Sequence, residues 1–352
     1  MGSKGEKILP PKSSLVDHYT ITPDDITTFL NAEDCHKAGI TGEGIKVGII
    51  DSGWYSHRYF ELRKQEFKQK HDNLGWQGSG NGWNAPRIVF AGKNPISPDR
   101  LPNPEDDISS ASHGTGMVAN LLSVAPGVQL RLYSKDKQSF LGQLESAISQ
   151  CDIISISKAF DGTKFGTGPS GDKARKRYKD AFVKAEKDGK IVFHANGNSG
   201  SLPWPIQNCT KNLIKVGGVY RAKNGTLQAA DYAMAHGGAL LPDICGLCGM
   251  LPAGAYIWLP TDPDHDSGNF PSGWDLHSGT SSATPQVAGI CALMAQARKA
   301  HAMAPLNMAT AKSILRRTAT AVTNGTSADG IAAAGTWCLL PDAAAAVRMA
   351  VQ

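Results

Sequence analysis

The chain has 352 residues, of which 41% are hydrophobic and 19% charged, so it is long and apolar enough to bury a large core. Its net charge of +5 comes without a Lys/Arg run interleaved with aromatic residues, which argues against nucleic-acid binding. No run of about eighteen apolar residues is present, so we expect no membrane span.

The predicted elements follow an N-terminal arm, residues 1–21, that we expect to be extended or mobile. Apolar runs predict strands at Ile45–Ile50, Ile88–Phe90, Val128–Tyr133, Ile153–Ile156, Lys190–Phe193 and Leu213–Val219. Helical patterns alternate with them at Ser112–Ser123, Leu141–Gln150, Lys173–Asp188, Ser282–Lys299 and Asn307–Thr318. This alternation predicts a three-layer α/β fold, with a mostly parallel twisted sheet and helices on both faces. We expect one domain over residues 22–352.

Three segments contain residue types that act together in nucleophilic catalysis. Asp51 follows a buried strand, His113 begins a helix rich in small residues, and Ser281 opens a helix after a turn containing Gly279. Each alone has an ordinary structural explanation, such as a capping Asp or a buried His. Together they supply what a Ser nucleophile needs, an imidazole to take its proton and a carboxylate to orient the imidazole.

The motifs DSG, HGTG and GTSSATP, in this chain order, resemble those of the subtilisin-like serine proteases, the subtilases. The resemblance implies a serine endopeptidase that hydrolyses peptide bonds through an acyl-enzyme on Ser281. His113 would be the general base and acid, and Asp51 the orienting acid. The expected partner is a peptide or protein substrate, and no cofactor is expected.

The resemblance also assigns residues around the nucleophile. Asn198 would donate its side-chain amide to the oxyanion, with the backbone N–H of Ser281 as the second donor. The residues assigned to substrate binding are Ser157, Lys158, Ala159, Ala195, Asn196 and Gly197. Lys158 replaces an apolar residue of the family beside the S1 pocket. Either its charge points into solvent while its methylenes line the pocket, which we favour, or it shifts the P1 preference from large apolar towards polar or acidic side chains.

Neither calcium nor zinc is expected. The segment between His113 and Ala125 is shorter than in calcium-stabilised subtilases, which carry a metal-binding loop there. Cys245 and Cys248 form a CxxC pair without a second pair or nearby histidines. Buried thiols or one local disulfide are the alternatives to zinc for these cysteines.

Two other functions stay open at this stage. Peptide transfer, as in subtilase-like macrocyclases, would need a cover over the cleft, for which the long segment before His113 is the candidate. An inactive binding module is the second alternative, although all four catalytic positions hold competent residue types. The N-terminus lacks an apolar signal segment, so we expect a cytoplasmic protein, with a secreted protein that has lost its leader as the alternative.

Overall fold

The computed structural model describes residues 20–55, 57–63, 89–90, 113–134, 139–157, 168–198, 210–233, 241–250, 254–263, 273–326 and 334–352. Its strands are β1 (Thr20–Ile21), β2 (Lys46–Asp51), β3 (Val89–Phe90), β4 (Gln129–Ser134), β5 (Ile153–Ile156), β6 (Ile191–Ala195), β7 (Ile214–Arg221), β8 (Leu227–Ala229), β9 (Ile244–Leu247), β10 (Tyr256–Pro260), β11 (Trp274–His277), β12 (Thr320–Ala321) and β13 (Leu339–Leu340). Its helices are α1 (Pro23–Phe29), α2 (Ala32–Lys37), α3 (His113–Val124), α4 (Phe140–Gln150), α5 (Pro169–Lys187), α6 (Thr280–Ala300), α7 (Met308–Thr318) and α8 (Ala343–Ala350).

The main sheet has eight strands in the order β3-β4-β2-β5-β6-β7-β8, with β9 also paired to β7. These pairs are parallel, except for the antiparallel pair of β7 and β8. In the register around β2, Ile49 lies between Leu132 of β4 and Ser155 of β5. β5 and β6 are buried along their whole length, which explains why their sequences are almost continuously apolar.

The parallel sheet brings the site together at one edge. The carboxyl ends of parallel strands lie on the same side of a sheet, and functional sites of open α/β sheets form there. Asp51 is the last residue of β2, Ser157 follows β5, and Asn198 lies three residues after β6. Residues distant in the sequence therefore reach one edge of the sheet.

The helices complete a three-layer arrangement. α3 and α6 pack against each other, and α6 also contacts β5, β6, β7 and β9. α4 and α5 form a second group, in which α4 contacts β2 and β4 while α5 contacts β6. One continuous hydrophobic core joins these layers. The three-layer α/β prediction is confirmed.

The predicted elements agree with the structure except at some ends and at the later strands. α5 begins at Pro169 rather than Lys173, because Pro is well suited to the first turn of a helix. Sequence patterns did not predict β9, β10 or β11, which are four or five residues long. β10 and β11 form a separate small sheet with β1, where Thr20 pairs in parallel with Tyr256. Most of the predicted arm, residues 1–19, lies outside the described residues.

None of the helices in the described ranges is both long enough and apolar enough to cross a membrane.

Candidate active site

The first half of the site forms where β2 ends and α3 begins. His113 is the first residue of α3, and its Nδ1 lies 2.7 Å from Oδ1 of Asp51. The start of the helix is held to the strand by Gly114, whose N–H donates to the Ser52 carbonyl at 2.8 Å. A Cβ on Gly114 would lie only 2.4 Å from the Gly53 carbonyl oxygen. Glycine at this position therefore permits the close approach that brings imidazole and carboxylate together.

The carboxylate and the imidazole have different environments. Asp51 is 3% exposed, and its Oδ1 also accepts from the N–H of Ser52 at 2.6 Å. Its Oδ2 is buried and has no hydrogen-bond partner among the described residues. The His113 side chain is 33% exposed. A carboxylate at Nδ1 favours the tautomer with the proton on that nitrogen, in which Nε2 can accept a proton.

The second half of the site is the N-terminus of α6. Ser281 is the second residue of this helix, and its Oγ lies 3.2 Å from Nε2 of His113. The preceding Gly279 has a φ of 95°, a left-handed conformation that favours glycine. N–H groups in the first turn of a helix have no acceptor within the helix, so the Ser281 N–H is available to a ligand. This helix end also favours negative charge.

Ser157 supports the backbone of Ser281. Pro285 lies four residues after Ser281 and has no N–H, so the Ser281 carbonyl lacks its usual helical donor. Ser157 Oγ donates to that carbonyl at 3.1 Å, and the contact is buried. The sequence predicted Ser157 only as a substrate-binding residue, and that role stays a prediction.

Asn198 lies beside Ser281 with a defined orientation. Its Oδ1 accepts from both the N–H of Thr280, at 2.8 Å, and the Oγ1 of Thr280, at 2.9 Å. Its Nδ2 is therefore the end that is free to donate. The point at which a Cβ on Gly279 would stand is 2.7 Å from Nδ2 of Asn198 and 3.2 Å from Oγ of Ser281. Amide and hydroxyl thus border the same small space.

The other predicted substrate residues divide into two groups. Ala195, Asn196 and Gly197 connect β6 to Asn198 and are buried. Gly197 donates its N–H to Oγ1 of Thr280 at 3.1 Å, so this segment also supports α6. Lys158 and Ala159 lie outside the described residues.

A buried glutamine that the sequence analysis missed joins the two halves. Gln286 exchanges hydrogen bonds with the backbone of Leu247 in β9, at 2.8 and 2.9 Å. Its Nε2 also donates to Oδ1 of Asn120 in α3 at 3.0 Å. The contact therefore ties the Ser281 helix to the His113 helix and to the sheet. The available signal was an amide side chain at the start of the small, apolar run that fills α6.

A second imidazole lies next to that of His113. The rings of His277 and His113 are 6.0 Å apart between centroids. Burial, then the charge of His113, lowers the pKa of His277 to about 3, so this ring stays neutral near pH 7. The sequence analysis quoted His277 beside the nucleophile motif without giving it a role.

The cysteines in the described ranges carry free thiols and are buried: Cys35, Cys151, Cys245, Cys248, Cys291 and Cys338. Burial raises the pKa of Cys248 to about 12, so its thiol stays protonated and unreactive. Cys245 and Cys248 are therefore two buried thiols and do not form a local disulfide, which was the other alternative for the CxxC pair. No group of His, Cys, Asp or Glu side chains in the described part of the chain is placed to hold a metal ion.

Comparison with known proteins identifies the class of protein. A family model described as the subtilase family matches residues 42–335. The chain therefore belongs to the subtilase family, which is a family of serine endopeptidases.

Individual relatives within the family share little sequence identity with this chain. Subtilisin E from Bacillus subtilis (strain 168) is 27% identical over 287 residues, which cover 75% of this chain and 59% of the relative. Subtilisin from Bacillus pumilus is also 27% identical, over 75% of this chain and 82% of the relative. The crystal structure of a lanthipeptide protease superposes with a TM-score of 0.62 at 19% identity, covering 93% of this chain and 94% of the other, and shares the fold. The chain spans about three fifths of the length of Subtilisin E.

Proposed function

We propose that this protein is an endopeptidase that hydrolyses peptide bonds in peptide or protein substrates. Ser281 would be the nucleophile, His113 the general base and acid, and Asp51 the residue that orients the imidazole. One observation carries the proposal, the chain of contacts from Asp51 Oδ1 to His113 Nδ1 at 2.7 Å and from His113 Nε2 to Ser281 Oγ at 3.2 Å. Three distant segments meet in the geometry that an activated serine requires.

The proposed reaction has two steps, acylation of Ser281 and hydrolysis of the resulting ester. As Ser281 Oγ bonds to the substrate carbonyl carbon, its proton passes to Nε2 of His113, and Asp51 stabilises the resulting imidazolium. The imidazolium then gives this proton to the leaving amine as the C–N bond breaks, which leaves an ester on Ser281. Water then attacks the ester while Nε2 of His113 takes its proton. The proton returns to Ser281 Oγ as the ester bond breaks, which releases the acid and restores the enzyme.

The oxyanion would be held from one side of the site. Nδ2 of Asn198 and the N–H of Ser281 are the two proposed donors. Because Oδ1 of Asn198 is already occupied by Thr280, the amide does not have to reorient during the reaction. A preorganised donor of this type typically lowers the barrier by about 3 kcal/mol.

We further propose that residues 22–352 act as one catalytic domain. An extended substrate segment would pair with the backbone that follows β5, at Ser157, Lys158 and Ala159. Main-chain pairing of this type supplies affinity, and the side-chain pockets supply specificity.

Covalent labelling tests the nucleophile. A fluorophosphonate should modify Ser281 and no other serine, with the site identified by mass spectrometry of the digested protein. Ser281→Ala should remain folded, lose the label and lose turnover by about a millionfold, the loss found when the nucleophile of subtilisin is removed.

Ser282→Ala is the matched control for that experiment. Ser282 is the next residue of α6, and its hydroxyl donates to the Ser278 carbonyl at 3.3 Å instead of meeting His113. We expect this variant to be labelled like the wild type. Labelling that survives Ser281→Ala, or that is lost in Ser282→Ala, would contradict the assignment.

A peptide library analysed by mass spectrometry tests the reaction type. Hydrolysis should yield fragments with free carboxyl termini, even when a competing amine is present. Products joined to the amine would instead indicate peptide transfer. The same library, compared between wild type and Lys158→Leu, shows whether Lys158 selects acidic P1 side chains.

A further inference from the structure

The turn that presents the nucleophile has little support of its own. Gly279 occupies the N-cap position of α6 and has no side chain with which to cap the helix. Its φ is 95°, and glycine can change to other backbone conformations easily because it has no Cβ. The N–H of Thr280 is held by Asn198. The N–H of Gly279 needs its own acceptor from elsewhere in the fold.

Tyr232 supplies that partner. Its hydroxyl oxygen accepts from the N–H of Gly279 at 2.8 Å and donates its own proton to the Gly249 carbonyl at 2.9 Å. Donation to Gly249 aims the hydroxyl proton away from the turn, which leaves the oxygen free to accept. One phenol therefore joins the segment after β9 to the turn before the nucleophile.

We propose that Tyr232 is a positioning residue for the oxyanion site, acting through the peptide plane of Gly279. This inference rests on the proposed function. Gly279 borders both groups, since a Cβ built on it would lie 2.7 Å from Nδ2 of Asn198 and 3.2 Å from Oγ of Ser281. A rotation of its peptide plane would shift Ser281 relative to the amide. Misplacement by about 1 Å costs roughly a hundredfold in rate.

The environment of the phenol suits this task. The hydroxyl lies close to the Cys248 thiol, and the ring packs against a small buried cluster that contains Cys248 and Tyr220. Burial, then the neighbouring Cys248, raises the pKa of Tyr232 well above its ordinary value. The hydroxyl consequently keeps its proton near neutral pH and can donate it to the Gly249 carbonyl.

Tyr232→Phe tests the inference, because it removes only the hydroxyl. We expect kcat on a peptide substrate to fall about ten- to a hundredfold while KM changes less than about twofold, since the oxyanion exists only near the transition state. The matched control is Tyr220→Phe. Tyr220 packs in the same cluster, but its hydroxyl donates to Gln228 at 2.8 Å, away from the turn. We expect Tyr220→Phe to leave kcat unchanged.

A double-mutant cycle separates positioning from a general structural role. If Tyr232 acts through the oxyanion site, its removal in an Asn198→Ala background should lower kcat by less than about threefold, because the amide relative to which it positions Ser281 is gone. An equal loss in both backgrounds would overturn the inference. So would an unfolded Tyr232→Phe protein beside a folded Tyr220→Phe protein, since the hydroxyl would then serve stability alone.

Failure of this inference is distinguishable from failure of the proposed function. An unchanged kcat in Tyr232→Phe, with Ser281→Ala inactive, would overturn only the role of Tyr232. An active Ser281→Ala protein would overturn the proposed function itself.

Discussion

The two sides of Ser281 are supported in different ways. On the side proposed for proton transfer, His113 meets the buried carboxylate of Asp51 on one ring nitrogen and the hydroxyl of Ser281 on the other, and its side chain is one-third exposed. On the side proposed for the oxyanion, the turn and the first residues of α6 are held by several neutral hydrogen bonds to the backbone. These come from Asn198, Tyr232 and Ser157.

The difference follows from what each side would do. An imidazole that gains a proton becomes positively charged. A carboxylate stabilises that charged form more strongly than a neutral group would. An oxyanion hole must already have its geometry when the charge develops, which requires donors that do not move. Many weak contacts to backbone groups supply that rigidity.

The largest expected effect in this comparison comes from Asp51→Asn, on the proton-transfer side. We expect kcat to fall by about ten-thousandfold at neutral pH, the loss caused by the same change in a serine protease triad. The physical reason is that an amide can donate to Nδ1 and so favour the wrong tautomer of His113, and that it carries no charge to stabilise the imidazolium. Steady-state kinetics with circular dichroism as a check of folding measures this change, and a loss below about tenfold would show that the charge of Asp51 is not needed.

Asn198→Ala is expected to have a smaller effect, on the oxyanion side. We expect kcat to fall roughly a hundred- to a thousandfold with little change in KM, because the lost hydrogen bond forms only near the transition state. Asn198→Asp is the matched control. It can keep the two bonds to Thr280 but places a carboxylate oxygen where Nδ2 stood, and it should be at least as impaired. An Asp variant with wild-type kcat would remove Asn198 from the oxyanion hole.

The smallest expected effect concerns stability rather than turnover. His194, in the strand that leads to Asn198, is fully buried, and its Nδ1–H donates to the Ala195 carbonyl at 2.9 Å. Burial lowers the pKa of His194 from 6.5 to about 4. Between these values the unfolded chain binds a proton that the folded chain does not. The free energy of unfolding therefore falls as the pH drops from about 6.5 towards 4.

His194→Asn should weaken this dependence of the free energy of unfolding on pH. Asn retains a donor for the Ala195 carbonyl but has no group that titrates in this range. We expect the difference in unfolding free energy between pH 7 and pH 4.5 to shrink by roughly 2 to 3 kcal/mol, from about 1.4 kcal/mol per pKa unit. Urea denaturation at the two pH values measures it. The same pH dependence in both proteins would mean that His194 is protonated in the folded state.

Local patterns predicted most of the fold. Apolar runs such as the one in β2 and the small-residue pattern of α6 are visible without knowledge of any distant contact. They identified the strands from β2 to β7 and the longer helices. The strands β9, β10 and β11 were missed although β5 and β6 are equally short, because no helix separates them in the described part of the chain and the alternation of strands with helices that marked β4 to β6 is absent there.

The amino-acid sequence by itself determined which residues are chemically competent, and in what order: Asp51, His113, Asn198 and Ser281. It also shows where the backbone of α6 lacks partners, because Pro285 has no N–H and Gly279 has no capping side chain. Only the tertiary structure decided which groups meet those needs. Ser157 lies 124 residues from the carbonyl it supports, and Tyr232 lies 47 residues from Gly279. A hydrogen bond over such a distance depends on how the sheet and helices pack, and no local pattern encodes its partner.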